Sequence, residues 1–188
     1  MSEALEEMYL FGEEKMEKAI GQMKREFASV RTGRANPAVL DKVLVEYYGV
    51  PTQLRQMSQV TVSEGTTLVI TPFDKSIIKE IEKALIKAEL GVAPNNDGTC
   101  IRLNFPPLTE ERRRETAKDV KKLGEDAKVA IRNVRRDMVD SLKKIEKEEN
   151  LPEDSVKDNQ DQIQKLTDKY VGIIDSLVSE KEKEVMTV

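Results

Sequence analysis

Between Pro107 and Pro152 the chain contains no proline, and apolar residues recur through that stretch at helical spacing. Val120, Leu123, Ala127, Ile131, Val134, Met138, Leu142 and Ile145 follow one another three or four residues apart, which is the repeat of one helix face. Thr109, ahead of Glu111 and Arg112, starts the helix, and Asn150-Leu151-Pro152 ends it. At ~1.5 Å per residue, about 40 residues make a rod of roughly 60 Å. A stripe so narrow is buried only against other helices, so the rest of the chain has to supply them.

Two further segments have the same character. In the first thirty residues Met16, Ile20, Met23, Phe27 and Val30 alternate spacings of four and three, and Leu5 and Tyr9 extend the stripe backwards. Gly12 and Gly21 weaken this helix by up to ~1 kcal/mol each relative to alanine. At the other end, Pro152 with Glu153 and Asp154 suits a helix start. Ile163, Leu166, Tyr170, Ile173 and Leu177 form its stripe. Three such helices predict an elongated bundle made of residues 1–30 and 106–188.

Between them the period changes. Val43, Val45 and Tyr47 alternate with Leu44, Glu46 and Tyr48, a strand ended by Gly49 and Pro51. Val60-Thr61-Val62 and Thr66 to Thr71 read as two more, separated by Ser63-Glu64-Gly65. A helix follows, capped by Ser76 and closed by Gly91, with Ile77, Ile78, Ile81, Ala84, Leu85 and Ala88 on its buried face. Pro94 to Gly98 is a turn, and Cys100 to Phe105 a last strand. Residues 31–105 thus predict a small β/α/β domain inserted in the bundle, an α+β chain. Two crossings join the domains, one through Val30, Arg31, Thr32, Gly33 and Arg34, the other through Asn104, Phe105, Pro106 and Pro107. A double connection without a long linker acts as a hinge rather than a tether.

Composition narrows the function. There is no histidine and one cysteine. That excludes an internal disulfide, a zinc site of the usual Cys/His set, and serine-histidine or cysteine-histidine catalysis. Cys100 reads as a packed strand thiol. No GxGxxG or GxxxxGK[ST] phosphate loop is present, so no cofactor is expected. The acidic start carries neither a secretory signal nor a basic transit peptide, and no apolar run is long enough to span a membrane, which makes the cytoplasm the expected location. With 35% charged and 4% aromatic residues and no tryptophan, the chain has a long-helix composition rather than that of a large core.

The net charge of -4 conceals an asymmetry. Residues 111–147 carry net +5, whereas residues 148–188 carry net -6. Arg132, Arg135 and Arg136 stand at i, i+3 and i+4, on one helical face. Lys128 and Lys121 precede Arg135 by one and two heptads, and Arg112-Arg113-Arg114 adds a cluster near the crossings. Pairing with acids inside the chain is the competing reading, strongest for Lys121, Lys122, Lys143 and Lys144, and Asp137 or Asp140 is placed to hold one of the arginines. Arginine suits phosphate because its planar fork donates two parallel hydrogen bonds. No aromatics interleave the stripe, so it suits the backbone of folded RNA rather than stacked single-stranded bases. A helical module that binds a protein partner competes with this reading, and a carboxylate hydrolase is disfavoured.

The same residues carry a family resemblance. Val30-Arg-Thr-Gly-Arg-Ala-Asn-Pro37, Val45-Glu-Tyr-Tyr-Gly49, Pro106-Pro-Leu-Thr-Glu-Glu-Arg-Arg113, Ala130-Ile-Arg-Asn-Val-Arg-Arg-Asp137 and Gln164-Lys-Leu-Thr-Asp168 resemble the ribosome recycling factor family, over essentially the whole chain and in order. The resemblance implies an L-shaped, non-enzymatic, monomeric protein. Its bundle would dock on large-subunit rRNA of a 70S-type post-termination ribosome, and its small domain would swing at the hinge when elongation factor G acts with GTP. It implies Arg135 as the central RNA contact, with Arg132 and Arg136 beside it. Lys121, Lys128, Arg31, Arg112 and Arg113 complete the expected RNA-binding set.

Overall fold

The computed structural model describes residues 2–187. Among them five α-helices and six strands follow in the order α1 (Glu3–Ala28), β1 (Leu44–Tyr47), β2 (Val50–Gln53), α2 (Leu54–Met57), β3 (Ser58–Ser63), β4 (Thr67–Pro72), α3 (Ile78–Lys87), β5 (Asn95–Asn96), β6 (Ile101–Asn104), α4 (Glu110–Glu149) and α5 (Glu153–Met186), with 3-10 turns at Pro37–Leu40 and Lys75–Ile77. Packing divides them into two compact units. One holds the residues up to Phe27 and Ala117–Lys183, the other Ala28–Thr116 and the residues from Glu184 on.

The first unit is a three-helix bundle of α1, α4 and α5. α1 buries Leu5, Met8, Gly12, Met16, Ile20, Met23 and Phe27. Met8 thus takes the inward place expected of Tyr9, whose hydroxyl instead donates to Asn159 Oδ1 at 2.8 Å. Gly12 is more than a weak point in a helix. A Cβ there would overlap the Met138 side chain of α4, so the glycine permits a close approach. The α4 stripe is as expected with one exchange: Gly124 is buried and Leu123 only half-buried, because Val178 of α5 occupies the space over Gly124. In α5 the buried line runs through Ile163, Thr167, Tyr170 and Ile174. Leu166, Ile173 and Leu177 sit half-buried on its flank. The expected line followed strict apolarity, whereas Thr167 reaches the interior by returning its hydroxyl to the Ile163 carbonyl at 2.8 Å.

The second unit is built on a four-stranded antiparallel sheet in the order β3-β4-β6-β5. Cross-strand pairs Leu68–Leu103 and Ile70–Ile101 put alternate residues of β4 and β6 into the core. Ile81 and Leu85 of α3 and Val45 of β1 close it. Three local expectations are corrected. Pro51 does not end the first strand; it lies in β2, which pairs with β1 in a separate two-stranded sheet, where each strand has an open edge that tolerates proline. Tyr48 and Gly49, both at positive φ, form the two-residue turn between them. Ser76 does not cap α3, which has no side-chain cap; Asp74 caps the 3-10 turn Lys75–Ile77 that leads into it, its carboxylate accepting from the Ser76 amide at 3.0 Å and hydroxyl at 2.7 Å. Those bonds lower the Asp74 pKa. The helix exit turns at Glu89, at φ 50°, before Gly91, and leaves Ala88 exposed. Cys100 is buried as expected, and its thiol donates to Asp97 Oδ2 at 3.3 Å.

Candidate nucleic-acid interface

The helix repeat that buries Ile131, Val134 and Met138 in the bundle turns Arg132 and Arg136 outward and leaves Arg135 at the rim of the seam. Arg132 and Arg136 are exposed and Arg135 is half-buried. Among the described residues none of the three has a carboxylate within ion-pair distance, so neither Asp137 nor Asp140 holds one. Arg135 instead donates Nη1 to the Oε1 of Gln164 on α5 at 3.4 Å. Gln164 in turn donates Nε2 to Asp168 Oδ1 at 2.9 Å. Asp168 therefore turns the amide so that its oxygen faces the guanidinium. A neutral acceptor restrains the arginine without cancelling its charge, which a carboxylate at that place would do. The role of Gln164 was not drawn from the sequence, although its i, i+4 relation to Asp168 on one helix face was legible there.

Lys128 behaves differently. Its side chain is 17% exposed and is held by Asp175 of α5 and, at 3.3 Å, by Glu125. The hydrogen bond it donates to the Asp175 carboxylate is the main cause that raises its pKa. Its charge is thus neutralised inside the bundle, while Lys121 is exposed with no carboxylate at ion-pair distance among the described residues. The stripe read from the sequence is broken at its middle, because Asp175 holds Lys128 against α5.

The other expected contacts belong to the second unit and not to the bundle unit that carries Arg135. Arg112 pairs with Glu115 at 3.1 Å, and Arg114 with Glu110 at 2.7 Å. Arg113 is half-buried, its Nε without a hydrogen-bond partner among the described residues. Arg31 donates Nη2 to the Pro106 carbonyl at 3.1 Å, and its guanidinium lies 5.8 Å from the Phe105 ring centroid. It ties the two crossings to each other. Both crossings also hang from one turn: Ala35 N–H donates to Gly65 O and Phe105 N–H to Thr66 O, each at 2.8 Å. Thr32 is buried, and its hydroxyl accepts from the Arg34 amide at 3.4 Å.

Among the described residues no cluster of histidine, cysteine or carboxylates is arranged to hold a metal ion, and no helix is long and apolar enough to cross a membrane. What the first unit offers chemically is a rigid helix edge with three uncancelled guanidinium groups, a surface that accepts phosphate oxygens. Fold and edge together define a helical scaffold that binds through its surface.

Comparison with known proteins places it more narrowly. The family model for the ribosome recycling factor matches residues 23–186. The ribosome-recycling factor of Caldicellulosiruptor saccharolyticus is 57% identical over 176 residues, 94% of this chain and 96% of that protein. The one from Bacillus subtilis is 57% identical over 175 residues, 93% of this chain and 95% of its own. A solution structure of the ribosome recycling factor superposes with a TM-score of 0.83 at 40% identity, covering 100% of both chains. A second structural relative, at TM-score 0.68 and 42% identity over 97% of this chain and 99% of its own, comes from models for the T. thermophilus ribosome recycling factor and the E. coli elongation factor G bound to the E. coli post-termination complex. The chain belongs to the ribosome recycling factor family, a family of translation factors.

Proposed function

We propose that this chain recycles ribosomes: it binds the post-termination ribosome and, with elongation factor G and GTP, promotes separation of the subunits and release of mRNA and tRNA. It does so in the cytoplasm, as a monomer, without a cofactor and without turning over a substrate of its own. The observation that carries the reading is the arginine edge of α4. In a chain of this family, Arg132 and Arg136 stand exposed without carboxylate partners, and Arg135 is restrained by a neutral amide. Such an edge docks on the phosphate backbone of large-subunit rRNA, with Lys121 as an outlying contact. Lys128 supports the edge from within, because Asp175 already holds it. Arg31, Arg112 and Arg113 have local partners or partial burial, so their share of the phosphate contacts is smaller.

In this reading the bundle domain is residues 1–30 with 106–188 and the inserted domain residues 31–105, a division by the course of the chain. Packing groups residues 28–30, 106–116 and those from Glu184 on with the sheet. Movement takes place at residues 30–34 and 104–107, where Gly33 frees one crossing and the Pro106-Pro107 pair restricts the other. The Gly65-Thr66 turn, which holds the inner end of both crossings, makes them move together.

The test is subunit splitting followed by light scattering on post-termination ribosomes carrying mRNA and deacylated tRNA. Scattering is expected to fall only with the chain, elongation factor G and GTP all present. No fall, with binding intact, assigns the chain another task on the ribosome. A Gly33→Pro variant is expected to bind normally and split slowly; equal loss of both would remove the hinge from the mechanism.

A further inference from the structure

Away from the arginine edge, the first unit carries an apolar ridge that the bundle does not need. Leu10 is 69% exposed and Phe11 60% exposed, next to each other on α1. An open groove of about 550 Å³ lies beside them on the α4 side, with Met8 and Ile145 in its lining and Glu7 and Glu14 at its margin. Scattered single apolar residues on a surface mean nothing, but two large neighbours that border a groove constitute a patch.

The charge around it selects the occupant. From Glu3 to Glu14 the helix carries five glutamates and no basic residue. The lining of this groove is acidic with no lysine or arginine, although Lys15 lies with its Nζ 4.3 Å from the Phe11 ring centroid and Lys18 pairs with Glu14 at 3.3 Å. Within this groove a phosphate backbone or an anionic membrane is disfavoured, unlike the groove on the other flank of Leu10, where Lys165 and Lys169 stand beside Glu6 and Glu13. A second copy docking symmetrically would set glutamates against glutamates. The match is a protein segment rich in lysine and arginine with one or two apolar anchors, whose cations would also replace Lys15 over the Phe11 ring.

We propose that the Leu10–Phe11 ridge and its groove are a docking site for a basic, apolar-anchored segment of a protein within the ribosome, so that the bundle holds rRNA with one helix edge and protein with another. This rests on the recycling reading above. The experiment puts a photoreactive benzoyl-phenylalanine at position 11 of the full chain, binds it to purified post-termination ribosomes, and identifies the crosslinked species. A crosslink to a lysine- and arginine-rich protein segment is expected. A crosslink to rRNA, to a second copy of the chain, or none while the chain is bound overturns the proposal. Alongside, Leu10→Ser with Phe11→Ser is expected to weaken ribosome binding about tenfold with an unchanged melting temperature, while the steep salt dependence that comes from the phosphate contacts is kept. Unaltered affinity in that variant, with Arg135→Glu still defective, removes the ridge and leaves the recycling reading standing. A parent chain that binds no ribosome at all removes both.

Discussion

The bundle unit and the sheet unit solve the same problem, a small core, by different means. The bundle relies on side-chain period: three long helices, each burying one stripe, closed where Gly12 and Gly124 let neighbours approach. The sheet unit relies on backbone turns. Tyr48, Glu64 and Glu89, none of them glycine, all adopt positive φ there, and Asp97 ties down its turn with bonds from the Thr99 and Cys100 amides, each at 2.9 Å. One unit is therefore specified over long stretches and is stiff along its length, and the other is specified locally, corner by corner. Stiffness is what a docking edge needs, because the arginines keep their spacing when a polyanion arrives.

Four experiments would break or sharpen that contrast. The largest effect is expected from Arg135→Glu, which should weaken large-subunit binding about a hundredfold while leaving the melting temperature unchanged. Arg112→Glu in the sheet unit should cost far less, since Arg112 already pairs with Glu115. Equal losses in a filter-binding assay would mean that the docking edge is not confined to the bundle.

Packing comes next. Gly124→Ala should destabilise the bundle by up to about 2 kcal/mol, because overlap with Val178 outweighs the ~1 kcal/mol gained in helix propensity. Gly172→Ala, with open space around it, should stabilise by up to about 1 kcal/mol. Thermal melts of both decide it, and a stabilised Gly124 variant would show that α4 and α5 have room to spare.

Smaller still is Gln164→Glu. A carboxylate facing Arg135 would neutralise it, and the slope of log affinity against log salt should fall by roughly 0.7 to 0.9. Gln164→Ala should weaken binding with the slope kept. If both variants keep both quantities, the amide does not orient the arginine.

The last pair concerns pH. Burial, and then the nearby Glu13 and Glu17 carboxylates, push the Tyr170 phenol up to about 12. A phenol with a raised pKa contributes stability that is fully present below about 10 and lost as pH rises towards 12. Asp97 shifts the other way, lowered chiefly by the Cys100 and Thr99 amides, so its contribution is present above about 4 and lost as pH falls. NMR should show the bundle loosening first in alkali and the Asp97 turn first in acid. Tyr170→Phe and Asp97→Asn should each flatten only its own limb.

The extent to which this was readable in advance follows the same division. The bundle's stripes were legible because period survives in the sequence over many turns. At Leu123, Leu166 and Ile173 the apolar pattern stops one residue short of the Gly124, Thr167 and Ile174 that the structure buries, and at Leu177 and Val178 both residues are half-buried. The sheet unit's strands were legible from alternation, but the β2 strand, the short α2 turn and the Asp74 cap were not. The β2 strand depends on a partner that only pairing with β1 supplies, whereas the Asp74 cap is local and is missed because serine carries a stronger helix-start signal than the residue that acts. In the candidate interface, spacing alone puts Arg132, Arg135 and Arg136 on one helical face. The pairing of Lys128 with Asp175 is not legible there, because it joins residues 47 positions apart, on helices whose rotation about their axes no single-helix pattern sets.

What the sequence determined by itself is therefore what local physics controls: three seam-bearing helices, a strand-rich insertion between them, and a cluster of arginines on one helical face. Side-chain period and chain direction are properties of each segment and need no partner to be expressed. Only the tertiary structure decided which basic groups keep their charge, which glycines are contacts, and that Leu10 and Phe11 remain outside. Those outcomes depend on how far each helix turns towards its neighbours. Contacts summed over the whole seam set that rotation, and one residue more or less of it exchanges a buried cation for a free one.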